Sequence, residues 1–226
     1  VSRLMAFGCS NTQGCGLPGY ERHEDPYWAR PSNYAWPTYL AEKMNLECNN
    51  FGHGGASNKL ILNKMLETAL SKNDCVVILW TEFARHHILN QNTYATRLIP
   101  SDSVRSRKMA KWMRNKQKTR FSPKDTKLYF EKFYNDEDSF WENLVKINFA
   151  KFVLDSREIE NYHFLWNVHA IDTLDYPYWN RVNFKHLDFD PAHGFADDEL
   201  HPSMVAQQKA AEDIFQHIVQ TRNILK

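Results

Sequence analysis

No apolar run in this chain approaches the roughly 20 residues a helix needs to cross a bilayer, so a single hydrophobic span is excluded and no membrane partner is expected. An excess of one charge is also missing. The 28 Lys and Arg against 27 Asp and Glu leave a formal net charge of +1, so no global field draws the chain towards nucleic acid or an anionic membrane, and any such role must be local. Cysteine is scarce: Cys9, Cys15, Cys48 and Cys75 form neither a CxxC pair nor a dense disulfide framework. Cys9, Cys48 and Cys75 stand in or beside apolar runs, where a free cysteine serves as a small buried hydrophobe. A reducing, cytoplasmic setting is therefore expected. Val1 leads into an apolar run by Leu4, with no signal peptide visible, although the absent Met leaves open a trimmed start. Metal-ligand spacing is lacking too. His53, His86, His87 and His193, with Asp197, Asp198 or His201, invite a metal, but no HExxH or paired-cysteine pattern supports one, and no metal or cofactor is expected.

What is present suits one sizeable domain spanning 1–226, with an ordinary 42% hydrophobic content and no internal repeat. Leu4 to Gly8 reads as a short buried strand, and Pro18 to Pro31 as a loop. Trp36-Pro37 opens a helical pattern through Tyr39, Leu40 and Met44. "ECNNFG" reads as a strand closing on Gly52, a second helix runs from Ser57 or Asn58 to about Lys72, and "DCVVILW" has the continuous apolar character of a strand buried on both faces. "FWENLVKINFAKFVLDSREIE" predicts a long helix, "HFLWNVHA" a further strand, and a closing helix begins at Pro202-Ser203. Alternating strands and helices imply parallel neighbours joined by crossover helices, hence an α/β fold: a three-layer α/β/α sandwich around a mostly parallel sheet.

Residues 86 to 136 are too many for a simple connection and predict an α-rich insertion. It contains "RSRKMAKWMRNKQKTR", residues 105 to 120, with eight basic residues and no acid. A basic run around Trp112 can clamp phosphate or an anionic glycan, although most such runs are solvated faces.

Two places carry candidate chemistry. In "FADDELHPS", Asp198 and His201 are three apart, a spacing that in a turn puts both side chains on one side and lets the carboxylate hold the imidazole in the tautomer that leaves Nε2 free as a base. In "LMAFGCSNTQGCG", Ser10 lies just past the first strand, at the carboxyl edge where open parallel sheets gather their ligands. Each residue also has a bland reading. Ser10 serves as a turn or cap residue, Asn58 as an N-cap, Gly52, Gly54 and Gly55 as a tight turn, and His201 as a helix cap. Trp80, Phe164 and Trp166 read as core.

These segments, taken in order with "NNFGHGGASN" (residues 49 to 58), resemble the SGNH (GDSL-like) hydrolase family. "FGCSNT" is similar to its nucleophile block, with Cys9 in place of the usual Asp; "NFGHGGAS" to its glycine block; and "DELHPS" to its DxxH-P block. The resemblance implies a flavodoxin-like hydrolase fold, Ser10 as nucleophile, His201 as base and then acid, Asp198 as its orienting residue, and Ser10 and Gly55 as backbone donors of an oxyanion hole. One block departs. Where the family carries Gly-x-Asn-Asp, this chain has "VVILWTEFAR", with Thr81 or Glu82 at the asparagine's place. A hydroxyl can donate there and an ionised carboxylate cannot. Losing one oxyanion donor typically costs about 3 kcal/mol, so Asn58, Asn11 and Arg85 are further candidates, with Asn11, Glu82 and Arg85 expected at the substrate. The "WT…R" form resembles SGNH-like proteins of bacteriophages and some bacteria.

The expected function is serine ester hydrolysis without a cofactor, on a small-molecule or glycan ester such as an O-acetylated carbohydrate. The alternative is a non-catalytic, phage-associated binding module on the same fold that takes anionic glycan or nucleic acid through the basic insertion. An acyltransferase using the same triad is a third reading.

Overall fold

The computed structural model describes residues 2–21, 30–83, 85–88, 96–98, 123–166, 185–187 and 189–224. In chain order these form β1 (Arg3–Gly8), α1 (Ser10–Gln13), α2 (Trp36–Met44), β2 (Glu47–Gly52), α3 (Asn58–Glu67) and β3 (Cys75–Trp80). There follow β4 (His86–Ile88), β5 (Thr96–Leu98), α4 (Pro123–Lys132), α5 (Asp136–Ser156), β6 (Glu160–Trp166), β7 (Lys185–Leu187) and α6 (Met204–Ile224). Five strands build one parallel sheet in the order β2-β1-β3-β6-β7.

Strand alternation divides the core into two layers. Leu4 and Ala6 of β1, with Val77 and Leu79 of β3, pack against Trp36, Leu40 and Ala41 of α2 and Ala210, Ile214 and Ile218 of α6. Met5, Phe7, Val76, Ile78 and Trp80 face the other way, against Leu60, Ile61 and Met65 of α3 and Ile147, Ala150 and Leu154 of α5. Every residue of β3 is buried, which is why that stretch is apolar throughout. This is the three-layer α/β/α sandwich expected.

Several boundaries differ from the sequence pattern for local reasons. The helix expected to run to Glu160 ends at Ser156, because Glu158 turns through a positive φ of 55° and Ile159 N–H closes onto the Leu154 carbonyl, releasing Glu160 into β6. The helix expected to reach about Lys72 stops at Glu67, where Thr68 leaves the helical region and its hydroxyl donates to the Lys64 carbonyl. The three-residue β7 gave no readable pattern. The 86–136 segment was expected to be α-rich, yet its described part also holds the antiparallel pair β4–β5 beside α4. The basic run 105–120, Pro18–Pro31 between residues 22 and 29, and residues 167–170 lie outside the described residues. The four cysteines are free thiols. No described helix is long and apolar enough to cross a membrane.

One buried ionisable residue couples this core to pH. His163 on β6 stacks on Trp80 at 5.9 Å and accepts the Trp80 indole N–H at Nδ1, 3.0 Å away. Indole nitrogen only donates, so Nε2 carries the remaining proton and donates to Asn161 Oδ1 at 3.0 Å. Burial, reinforced by Lys151 and partly offset by Asp155, pushes the His163 imidazole down to about 3. A depressed folded pKa means the stability it contributes is complete above about pH 6.5, where the unfolded chain is also neutral, and is lost as pH falls towards 3. Urea unfolding should therefore show a loss of about 2 kcal/mol from this residue between pH 7 and pH 5. His163→Asn, which keeps an acceptor for Trp80, should remove that part of the slope; an unchanged slope would assign the acid sensitivity to other groups.

Candidate active site

The register of the sheet brings three strand ends level. Gly8 pairs with Gly52 on one side and Leu79 on the other. Past Gly8 the chain leaves the ladder: Cys9 caps α1, which begins at Ser10, while the chain beyond β2 and β3 runs on through Gly54 and Thr81 from the same carboxyl edge. The chain turns directly from β1 into the single turn of α1, where Thr12 and Gln13 donate to the Cys9 carbonyl and Gly14 and Cys15 to that of Ser10. This turn lies so close to β2 that a Cβ at Gly52 would stand 2.3 Å from the Gln13 nitrogen, which is why glycine ends that strand. Asn50 Nδ2 donates to the Thr12 carbonyl at 2.6 Å, and Gln13 Oε1 accepts the Gly54 N–H at 2.7 Å, fastening the glycine turn to the serine turn. Ser10 is buried. Gly55 is buried in that same turn with a φ of +76°. Neither Ser10 N–H nor Gly55 N–H makes a backbone hydrogen bond among the described residues.

Asp198 and His201 meet. His201 Nδ1 and Asp198 Oδ2 are 2.5 Å apart, and Asp198 Oδ1 accepts both the Leu200 and His201 N–H groups at 3.0 Å. The carboxylate thereby builds the turn and aims the ring. Burial raises the Asp198 carboxyl, but the hydrogen bond and charge of His201 and the two amides outweigh it and hold the group below the usual carboxylate range. The loop is closed by Ala196 N–H on the His201 carbonyl at 2.8 Å, and Ser203 Oγ accepts the Ala206 N–H to start α6.

This loop rests on the segment that follows Ser10. Asp197 N–H donates to the Gly16 carbonyl, Leu17, Ala35 and Ala196 form a small apolar cluster, and a Cβ at Gly16 would lie 2.6 Å from Asp198 Cγ. Gln207 supplies a second tie: buried on α6, it donates to the Asn11 carbonyl and accepts the Trp36 N–H. Among the described residues no hydrogen bond joins the Ser10 hydroxyl to His201.

The candidates after β3 separate into different roles. Asn58 corrects an expectation. Its Nδ2 donates to the Thr81 carbonyl at 3.0 Å and to Asn143 Oδ1 at 2.9 Å, while its Oδ1 accepts the Thr81 N–H at 2.8 Å. Both amide hydrogens are spent, so Asn58 has none for an oxyanion; it clamps the end of β3 to α3. Ser57, just before it, is the N-cap. Asn143 and Ser139 of α5 extend the clamp by donating to the Phe83 carbonyl at 3.2 and 2.8 Å. Thr81 is the first residue past β3, and its buried Oγ1 has no hydrogen-bond partner among the described residues, as is also true of Asn11 Nδ2. Glu82 instead binds Arg85, Oε2 to Nε at 3.0 Å. Burial lowers the Arg85 guanidinium, but Cys9 and Glu82 beside it outweigh that and hold it above its ordinary value. No cluster of metal-ligating side chains occurs among the described residues.

No protein-family model and no curated protein matches this chain. Solved structures do. A carbohydrate esterase whose active site displays divergent catalytic and non-catalytic binding functions aligns over 96% of this chain with a TM-score of 0.54 and 13% identity. An acetyl xylan esterase from the rumen bacterium Butyrivibrio proteoclasticus aligns over 98% with a TM-score of 0.56 and 11% identity. The fold is shared with these esterases. This chain spans 65% and 64% of their respective lengths. More distantly, a G-D-S-L family protein from Desulfitobacterium hafniense DCB-2 is matched over 96% of this chain and 99% of its own, with 14% identity and a TM-score of 0.49.

Residues that sequence reasoning missed are the supports: Gln13, Gly16, Asn143, Ser139 and Gln207. Each acts across a long separation, which leaves no local pattern to read. Two substitutions test them. Gly16→Ala should cost about 1–3 kcal/mol in urea unfolding, because φ is +80° and Asp198 occupies the space, and should displace the His201 Nδ1 proton resonance. Asn58→Ala should cost about 2–4 kcal/mol, since it strands the buried Thr81 amide and the Asn143 amide together.

Proposed function

We propose that the protein is a serine ester hydrolase, with Ser10 as nucleophile, His201 as general base and acid, and Asp198 as its orienting partner. The Asp198–His201 pair, held by its turn against the segment that follows Ser10, is the observation that carries the reading. In the first half-reaction Ser10 Oγ attacks the acyl carbon while its proton passes to His201 Nε2, and the imidazolium is stabilised by Asp198. The N–H groups of Ser10 and Gly55 receive the oxyanion, with Thr81 Oγ1 as the third donor in place of the family asparagine. Collapse breaks the ester bond and the departing alkoxide takes the proton from His201. Water then repeats the sequence on the acyl-enzyme and regenerates Ser10.

An O-acetyl group on a carbohydrate is the proposed substrate class, supported by the shared fold of the acetyl xylan esterase. A second reading is a binding module on this fold, favoured by the absence of a Ser10–His201 hydrogen bond. It predicts salt-weakened binding of an anionic glycan or nucleic acid through the 105–120 run without turnover.

Hydrolysis of p-nitrophenyl acetate separates the two. Ser10→Ala should lower kcat/KM by about 1,000-fold or more, and a fluorophosphonate should label the intact chain and not the variant. Equal rates for both proteins would remove Ser10 from the chemistry.

A further inference from the structure

Arg85 is where the polar edge of the sheet is left unbalanced. Its side chain is only 9% exposed, its Nε is committed to Glu82, and its Nη1 is buried without a hydrogen-bond partner among the described residues. A guanidinium nitrogen held out of water with no acceptor is costly, and such a group calls for a missing acceptor. Its neighbours locate it. On one side it lies against Cys9, the residue before Ser10; on the other its guanidinium carbon stands 5.5 Å from the centre of the Trp166 ring, at the last residue of β6. Between those ends runs β3, so the guanidinium lies over the carboxyl end of β3, beside Cys9 on one side and Trp166 on the other.

That placement puts the guanidinium next to the serine turn on its β6 side, so a substrate group extending from Ser10 across the end of β3 would approach it. Glu82, Cys9 and Trp166 hold the planar fork, leaving the two hydrogens of the buried Nη1 as uncommitted charge-assisted donors. The loop that carries it is itself braced by the Asn58–Asn143–Ser139 network, so the donor is rigidly presented.

We propose that Arg85 is a specificity residue that receives an anionic group of the substrate, a carboxylate borne by the ester's acyl or alcohol part. This rests on the serine hydrolase reading for its turnover arm but not for its binding arm. The experiment compares kcat/KM within two matched pairs: p-nitrophenyl acetate against p-nitrophenyl hemisuccinate, and an O-acetylated methyl glucoside against the corresponding methyl glucuronide. The chain should prefer the acidic member of at least one pair by about 10-fold or more, and the preference should shrink as salt is raised. Arg85→Met should bring that ratio close to one, and Arg85→Lys should keep part of it, with circular dichroism confirming that both fold. No preference in either pair, or a preference that survives Arg85→Met, overturns the proposal. Calorimetric titration of Ser10→Ala with methyl glucuronide and methyl glucoside separates the two readings. Acid-selective binding that Arg85→Met abolishes, in a chain without esterase activity, keeps the anion site and ends the hydrolase reading. Esterase activity with no acidic preference ends the anion site alone.

Discussion

The alignment of three strand ends governs everything at the carboxyl edge. Because Gly8 is paired with Gly52 and with Leu79, the segments leaving β1, β2 and β3 depart from one level and must share a small volume. A slip of one residue in the β1–β2 ladder would turn one strand's side chains to the opposite layer and pull the serine turn from the Asn50 and Gly54 groups that hold it. The hydrophobic alternation of β1 and β3 therefore does more than fill the core. It fixes the register on which the placement of polar groups depends.

Above that edge the structure is tied by side-chain amides instead of further apolar packing. Asn50, Asn143 and Gln207 each bridge two backbone groups, while Gln13 and Asn58 tie their own turns to the backbone of Gly54 and Thr81. Loops that cross a sheet's end expose N–H and C=O groups that no ladder can satisfy, and a carboxamide, able to donate and accept at once, meets both needs from one position. The same economy explains why Asn58 cannot also serve an oxyanion: its bonding capacity is consumed in holding Thr81 and Asn143.

Much of this was readable from the sequence. β1 and β3 were recovered to within a residue because burial on both sheet faces gives them continuous apolar runs, the edge strand β2 was recovered end to end up to Gly52, and the start of α2 followed from proline at a first turn. The Asp198–His201 pairing was legible for a similar reason: three residues of spacing in a turn leave little choice of partner. Where the resemblance left Thr81 and Glu82 interchangeable, their side-chain partners distinguish them: Glu82 is tied to Arg85, whereas Thr81 Oγ1 is uncommitted among the described residues. Asn58 was misjudged because its partners, Thr81 and Asn143, are 23 and 85 residues away, and local reading sees only a polar residue before a helix.

The Gln207 bridge bears on how the chain acquires its order. The serine turn lies near the beginning and its supporting amide 196 residues later, so during synthesis on the ribosome α1 leaves the exit tunnel long before its Asn11 carbonyl can be satisfied. The sheet can assemble progressively, strand by strand, while this corner waits for α6 to dock. Because Gln207 is carried by α6, the contact forms only when that helix docks on the assembled sheet, which makes the completed corner a late event in maturation.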